Sequence, residues 1–171
     1  MIFSRGQLPR VVHFLFNGKQ LEIANDFNYL GVVLTRTDNF KKAKQCQRDK
    51  ATKALYEVLK LGRVHNLSIS CQLYLFDKMV KPILLYGCEV WGYGNNEILE
   101  RVQLKFCKLL LKSKTTTPSS MIYGDLGRYA IEIEKKVTLI LYWSKIIMGK
   151  EMKLSAVIYN LCYKMSRVYG L

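Results

Sequence analysis

The chain of 171 residues contains few of the residue types from which metal centres and disulfide frameworks are built. It has two histidines and five cysteines, and no two cysteines are spaced as a C-x-x-C pair. This set does not predict a zinc cluster, and buried, reduced thiols are the expected alternative. We therefore expect no metal site and an intracellular, reducing compartment.

Long hydrophobic runs are also missing. The longest, PILLYGCEVWGYG and VTLILYW, fall short of the roughly 18 residues that a membrane-spanning helix requires, and Glu89, glycines and flanking lysines interrupt them. No basic segment followed by a long apolar run marks a signal peptide. The sequence predicts neither a membrane span nor secretion.

Catalytic motifs are absent as well. The 13 Asp and Glu residues are scattered, without a paired Asp motif that could hold two magnesium ions, and no glycine-rich phosphate loop occurs. Asp77 and Glu89 lie within apolar sequence, where a carboxylate is most often a salt-bridge partner or a helix cap. We predict no catalytic residue in this chain.

Positive charge is what the sequence has in excess. The formal net charge is +14, and residues 36–63 carry nine Lys or Arg against three Asp or Glu. Clustered cations predict a polyanionic partner, either nucleic acid or an anionic membrane surface. Charge alone does not choose between them.

The hydrophobic pattern changes period near residue 38. Before it, Asn17-Gly18 separates two apolar runs and predicts a tight hairpin, and FNYLGVVL predicts a third strand with Gly31 at a bulge or a close backbone approach. After it, apolar residues recur at helical spacing. The expected fold class is α+β, mainly α: an N-terminal β-hairpin and a third strand, followed by a bundle of about five helices.

Capping residues and helix-breaking residues predict where the helices begin and end. The first runs from a cap at Asp38 or Asn39 to about Leu61, with Gly62 as its stop. The second helix is expected to start at Ser68 or Ser70, with a kink or restart at Pro82. The third should start after Asn95 or Asn96, and the fourth at Thr117-Pro118. Two more helices are expected over about 131–148 and 155–167.

Two helices carry ordered cations. Lys42, Lys53 and Lys60 share the outer face of the first helix. The remaining cations of interest are Lys41, Lys44 and Arg48 along its shoulder, and Arg101, Lys105, Lys108 and Lys112 in a stripe on the third helix. Such faces contact phosphates with little sequence preference. The alternative is a merely solvated face, with Glu97 paired to Arg101.

The ordered motifs FNYLGV, KPILLYGCEVWG and TTTPSSMIYGDLG, at residues 27–32, 81–92 and 115–127, resemble the region after the catalytic core in reverse transcriptases of LINE-type (non-LTR) retrotransposons. The resemblance implies an end-of-palm and primer-grip segment (1–36), a thumb-like helical region (37–94) and a helical extension (95–171). It places Phe27, Tyr29, Leu30 and Gly31 at the primer grip. Tyr29 is also the aromatic residue that we expect to stack on a sugar or base.

The polymerase aspartates of that family, and the Mg²⁺ that they hold, match nothing in this chain. Met1 is therefore expected to be an internal methionine of a longer ancestor. The sequence predicts a truncated RNA-directed DNA polymerase fragment, nuclear or cytoplasmic, that binds RNA, DNA or their hybrid without catalysis, alone or with the rest of a reverse transcriptase. The alternatives are a non-functional fragment, a basic protein that binds an acidic partner, and a protein of the membrane surface.

Overall fold

The computed structural model describes residues 14–21, 24–36, 40–92, 94, 97–148 and 156–160. Short strands come first and helices follow, so the predicted class, α+β and mainly α, is confirmed. The strands are β1 (Leu15–Phe16), β2 (Lys19–Gln20), β3 (Asp26–Tyr29) and β4 (Val32–Thr35). The helices are α1 (Lys41–Val64), α2 (Ile69–Leu75), α3 (Lys81–Leu85), α4 (Cys88–Trp91), α5 (Glu97–Leu110), α6 (Ser119–Leu126) and α7 (Ile131–Ile147), with a π-helical stretch at Phe76–Val80. Residues 156–160 are also helical.

The strands form two separate antiparallel hairpins. In the first, Asn17 and Gly18 both have positive φ, which is the mirror-image turn that this dipeptide predicts. The prediction of a single third strand over FNYLGVVL is wrong. Leu30 and Gly31 form a second tight turn, with φ of 47° and 80°, and the chain doubles back so that Tyr29 pairs with Val32.

Helix α1 passes through the position where Gly62 was expected to stop it. A Cβ atom at Gly62 would lie 2.4 Å from Cδ of Gln72, so the glycine leaves room for the end of the Gln72 side chain on α2. The stop is Asn66, which has a φ of 48°, and the Leu67 N–H donates to the Gly62 carbonyl oxygen as in a Schellman motif. The predicted caps at Asp38 and Asn39 lie outside the described residues.

Pro82 restarts the second helix, as expected. The Lys81 N–H donates to the carbonyl oxygen of Phe76, five residues earlier, so one extra residue is accommodated just before the proline. The Ser68 hydroxyl accepts from the Cys71 N–H and caps this helix at its start. Helix α6 begins at Ser119, one residue after the predicted position, and α7 begins at Ile131, where it was predicted.

One hydrophobic cluster holds the helices together. Its members come from α1 through the start of α7, among them Leu55, Trp91 and Ile131, so it spans both sides of the boundary predicted at residue 94. At its centre the rings of Phe76 and Phe106 stack with centroids 4.5 Å apart. This shared core fixes α5 against α1, and that packing builds the site described next.

Candidate nucleic-acid interface

The packing of α5 against α1 brings the two predicted basic helices together. Between them lies a groove of about 350 Å³. Its lining comes from both helices: Arg48, Asp49, Thr52, Ile98, Arg101, Val102 and Lys105. We call this the α1–α5 groove. Three of the predicted phosphate-binding residues, Arg48, Arg101 and Lys105, therefore share one depression.

The two arginines of the groove form ion pairs with exposed carboxylates. The Arg48 guanidinium lies 2.7 Å from the Asp49 carboxylate, and that of Arg101 lies 3.3 Å from Glu97. Such solvent-exposed pairs contribute about 0–1 kcal/mol. A phosphate can therefore compete for either guanidinium at small cost.

Lys105 lies beside an aromatic ring. Its Nζ is 5.0 Å from the centroid of Tyr56 on α1, and 49% of that tyrosine is exposed. Tyr56 lies among apolar residues at helical spacing, a pattern that is typical of core residues and does not by itself indicate a binding role. The packing of α1 on α5 places it next to Lys105, a cation of the other helix. Lys53, one turn earlier on α1, is exposed and shares a face with Tyr56.

The start of α1 carries three lysines, and they differ in accessibility. Lys41 is exposed, and Lys42 forms a salt bridge with Asp26 of β3. Lys44 is only 7% exposed, so little of its side chain is accessible to a phosphate. Burial lowers the pKa of Lys44, the nearby cation Lys135 lowers it further, and Glu132 opposes both.

The stripe predicted on the third helix is shorter than expected. Helix α5 ends at Leu110, and Lys112 follows it in the left-handed conformation with a φ of 52°. The Lys108 ammonium donates to the carbonyl oxygen of Thr115 at 2.6 Å and so holds the loop after the helix. Arg101 and Lys105 are thus the only two stripe residues among the groove-lining side chains.

The predicted primer-grip residues lie at the tip of the second hairpin. The hydroxyl of Tyr86 donates to the Leu30 carbonyl oxygen at 2.7 Å, and a Cβ atom on Gly31 would lie 3.4 Å from Cε1 of Tyr86. Gly31 is therefore a point of close approach, as predicted, although it sits in a turn and not in a bulge. Tyr29 is exposed on β3. None of these three residues lines the α1–α5 groove.

Asp77 has the structural role that the sequence favours for it. Its carboxylate lies 2.7 Å from the Lys81 ammonium and also pairs with Arg128, which is nearly buried. Lys81 in turn lies 2.9 Å from Glu134 of α7. This network ties the π-helical stretch to α7 and involves no groove residue.

Comparisons of the chain with protein-family models, with curated proteins and with solved structures find no match. Among the helices of the described residues, none is both long and apolar enough to cross a membrane. Within the same part of the chain, no three His, Cys, Asp or Glu side chains are grouped so that they could hold a metal ion. The expectations about catalysis and cofactors stay predictions.

Proposed function

We propose that this chain is a piece of a LINE-type reverse transcriptase, and that it binds the nucleic-acid backbone through the α1–α5 groove without catalysis of its own. The observation that carries the proposal is the convergence of Arg48, Arg101 and Lys105 from two helices on one groove. Each of these cations can neutralise a phosphate and release its counterions. The expected binding is tolerant of sequence and falls steeply with salt.

The orientation of α1 supports the same function. Its first turn contains no acidic residue, and Lys41 and Lys42 lie at its positive end. Cations at a helix N-terminus are unfavourable by about 0.3–1 kcal/mol each. The salt bridge between Asp26 and Lys42 offsets part of that cost, and a nucleic-acid backbone that reached the exposed Lys41 would offset more.

Two of the motifs that carry the resemblance touch each other. The hydroxyl of Tyr86, in KPILLYGCEVWG, donates a hydrogen bond to the carbonyl oxygen of Leu30, in FNYLGV. Within the first of these motifs, the indole N–H of Trp91 donates to the Tyr86 carbonyl oxygen at 2.9 Å. Phe16 and Phe27 on the hairpins are exposed, as expected of strands whose palm neighbours belong to another part of the enzyme. We propose that the rest of a reverse transcriptase, with its catalytic aspartates and Mg²⁺, covers this face in the nucleus or cytoplasm.

The test is a salt series of fluorescence-anisotropy titrations with a recessed RNA/DNA hybrid. Arg48→Ala, Arg101→Ala and Lys105→Ala should each weaken binding and reduce the slope of log K against log salt by about one unit. Lys136→Ala is the charge-matched control, since Lys136 lies on α7, where it is 3.6 Å from Glu132.

Equal slopes for the three variants, the control and the unaltered chain would overturn the proposal. Binding to heparin that is as tight as binding to the hybrid, and as sensitive to the three substitutions, would instead favour the basic protein with an acidic partner. Aggregation without cooperative unfolding would favour the non-functional fragment.

A further inference from the structure

The lining of the α1–α5 groove is divided between two kinds of side chain. Val102 is almost completely buried and Ile98 is half-buried, and together they make an apolar part of the lining. Arg48, Arg101 and Lys105 supply the charge. Val102 already belongs to the core, but Ile98 is partly exposed. Phosphate contacts alone would leave that apolar surface in water, whereas a base or sugar face would bury it.

Tyr56 extends the groove with an exposed aromatic surface. The Nζ atom of Lys105 lies 5.0 Å from the centroid of its ring, and in the part of the chain that the structure describes Lys105 forms no salt bridge. An exposed cation–π contact is weak, so the ammonium can leave the ring for a phosphate. Ring and cation would then be available to one nucleotide together.

The spacing of the cations suits a strand that follows α5. Arg101 and Lys105 are one helical turn apart, a rise of about 6 Å along the axis. Arg48 faces them from α1 across the groove. Successive phosphates of an extended strand could therefore meet successive cations while their bases point toward Ile98 and Tyr56, which both have exposed surface.

We infer that the α1–α5 groove binds unpaired, single-stranded nucleic acid, with one base stacked on Tyr56 and adjacent phosphates on Arg48, Arg101 and Lys105. This inference rests on the proposed function and adds the form of the nucleic acid. A duplex stacks its base faces inside the helix and presents phosphates and groove edges. Only an unpaired base has a free face for the tyrosine ring.

The experiment compares three labelled probes of equal length by anisotropy at fixed salt: oligothymidine, its duplex with oligoadenosine, and an abasic oligomer. Tyr56→Leu removes the ring but keeps an apolar side chain of good helix propensity, and Tyr56→Phe keeps the ring. The Leu variant should bind oligothymidine roughly 5- to 100-fold more weakly. It should bind the duplex and the abasic oligomer as the unaltered chain does, and Tyr56→Phe should match the unaltered chain on all three probes.

Tyr56→Trp gives an independent measurement, because its larger ring should tighten binding of oligothymidine and leave the duplex unchanged. Equal loss on all three probes in the Leu variant, or no gain in the Trp variant, would overturn the single-strand inference. If Arg48→Ala, Arg101→Ala and Lys105→Ala still weakened every probe, the proposed function would stand. If those three substitutions changed no probe, the proposed function itself would fail.

Discussion

The hydroxyl of Tyr86 donates a hydrogen bond to the backbone carbonyl oxygen of Leu30, 56 residues earlier in the chain. This contact joins the tip of the β3–β4 hairpin to the segment between α3 and α4. Val32 of β4 packs against the same segment at Gly87. A hairpin of four-residue strands gains its stability from such packing, because isolated two-stranded hairpins are marginal in water.

Tyr86→Phe should therefore loosen this hairpin. The lost hydrogen bond should lower the free energy of unfolding by about 0.5–1 kcal/mol. This is the lower part of the usual range for a hydrogen bond, because Tyr86 is half-exposed. Amide exchange of Val32 and Val33 should speed up more than that of α5. Tyr74→Phe, at an exposed tyrosine of α2, is the matched control and should change neither quantity, whereas identical exchange in the two variants would contradict the assigned role.

Gly87→Ala tests the close approach of the hairpin to this turn. Gly87 has a φ of 71°, and a Cβ atom there would lie 3.0 Å from Cγ2 of Val32 and 3.3 Å from Nε1 of Trp91. We expect a loss of about 1–2 kcal/mol from the left-handed backbone, with further loss from crowding. Gly127→Ala is the control, because Gly127 also has positive φ but has nothing within 4 Å of that position. Equal losses in urea unfolding would show that crowding at Gly87 contributes nothing.

Asp77→Ala tests the ion-pair network. The substitution leaves the nearly buried Arg128 guanidinium without this carboxylate. We expect a loss of about 1–3 kcal/mol in unfolding free energy, below the value for a fully buried pair because Asp77 is partly exposed. Glu97→Ala breaks the exposed pair with Arg101 and should cost at most about 1 kcal/mol. Similar losses for the two variants would contradict a special role for the network.

Two buried thiols predict how stability depends on pH. Burial raises the pKa of Cys88 and of Cys107 to about 11, and in the unfolded chain thiols titrate near 8.5. Between these values the folded state holds more protons than the unfolded state, so stability falls as pH rises from about 8.5 to 11. The raised pKa of Tyr123, caused first by burial and then by its hydrogen bond to Glu100, acts in the same direction.

Urea unfolding at several pH values checks this prediction. Replacing Cys88 and Cys107 by Ala should lower stability through lost packing, but it should also flatten the alkaline decline. Replacing the buried Val58 and Val80 by Ala removes packing but no titrating group, so it should leave the decline unchanged. A decline of the same steepness in both variants would mean that the buried thiols do not produce it.

Local signals were sufficient for much of the fold. Asn17-Gly18, Ser68 and Pro82 each act through their own backbone geometry or hydrogen bonding, and the structure uses all three as predicted. Two predictions were wrong at positions that a residue of another segment contacts in the folded structure. Gly62 looked like a helix stop but makes room for Gln72, and the strand over FNYLGVVL turns back at Leu30-Gly31, where Tyr86 contacts it.

The candidate site likewise combines features that local sequence predicts with features that only the fold decides. Sequence alone identified the cations of both helices, because their spacing and sign are local properties. It could not tell that Lys44 is buried, that Lys108 is committed to Thr115, or that Tyr56 borders the groove. The burial of Lys44 and the position of Tyr56 depend on which helix packs against which face, and the Lys108 contact depends on the path of the loop after α5.

The sequence by itself determined the class of fold, most helix positions and the excess of positive charge, since these follow from residue type and from spacing along one element. Tertiary structure alone decided which charges converge. Arg48 and Lys105 are 57 positions apart, and they line one groove because the apolar faces of α1 and α5 bury each other in a shared core.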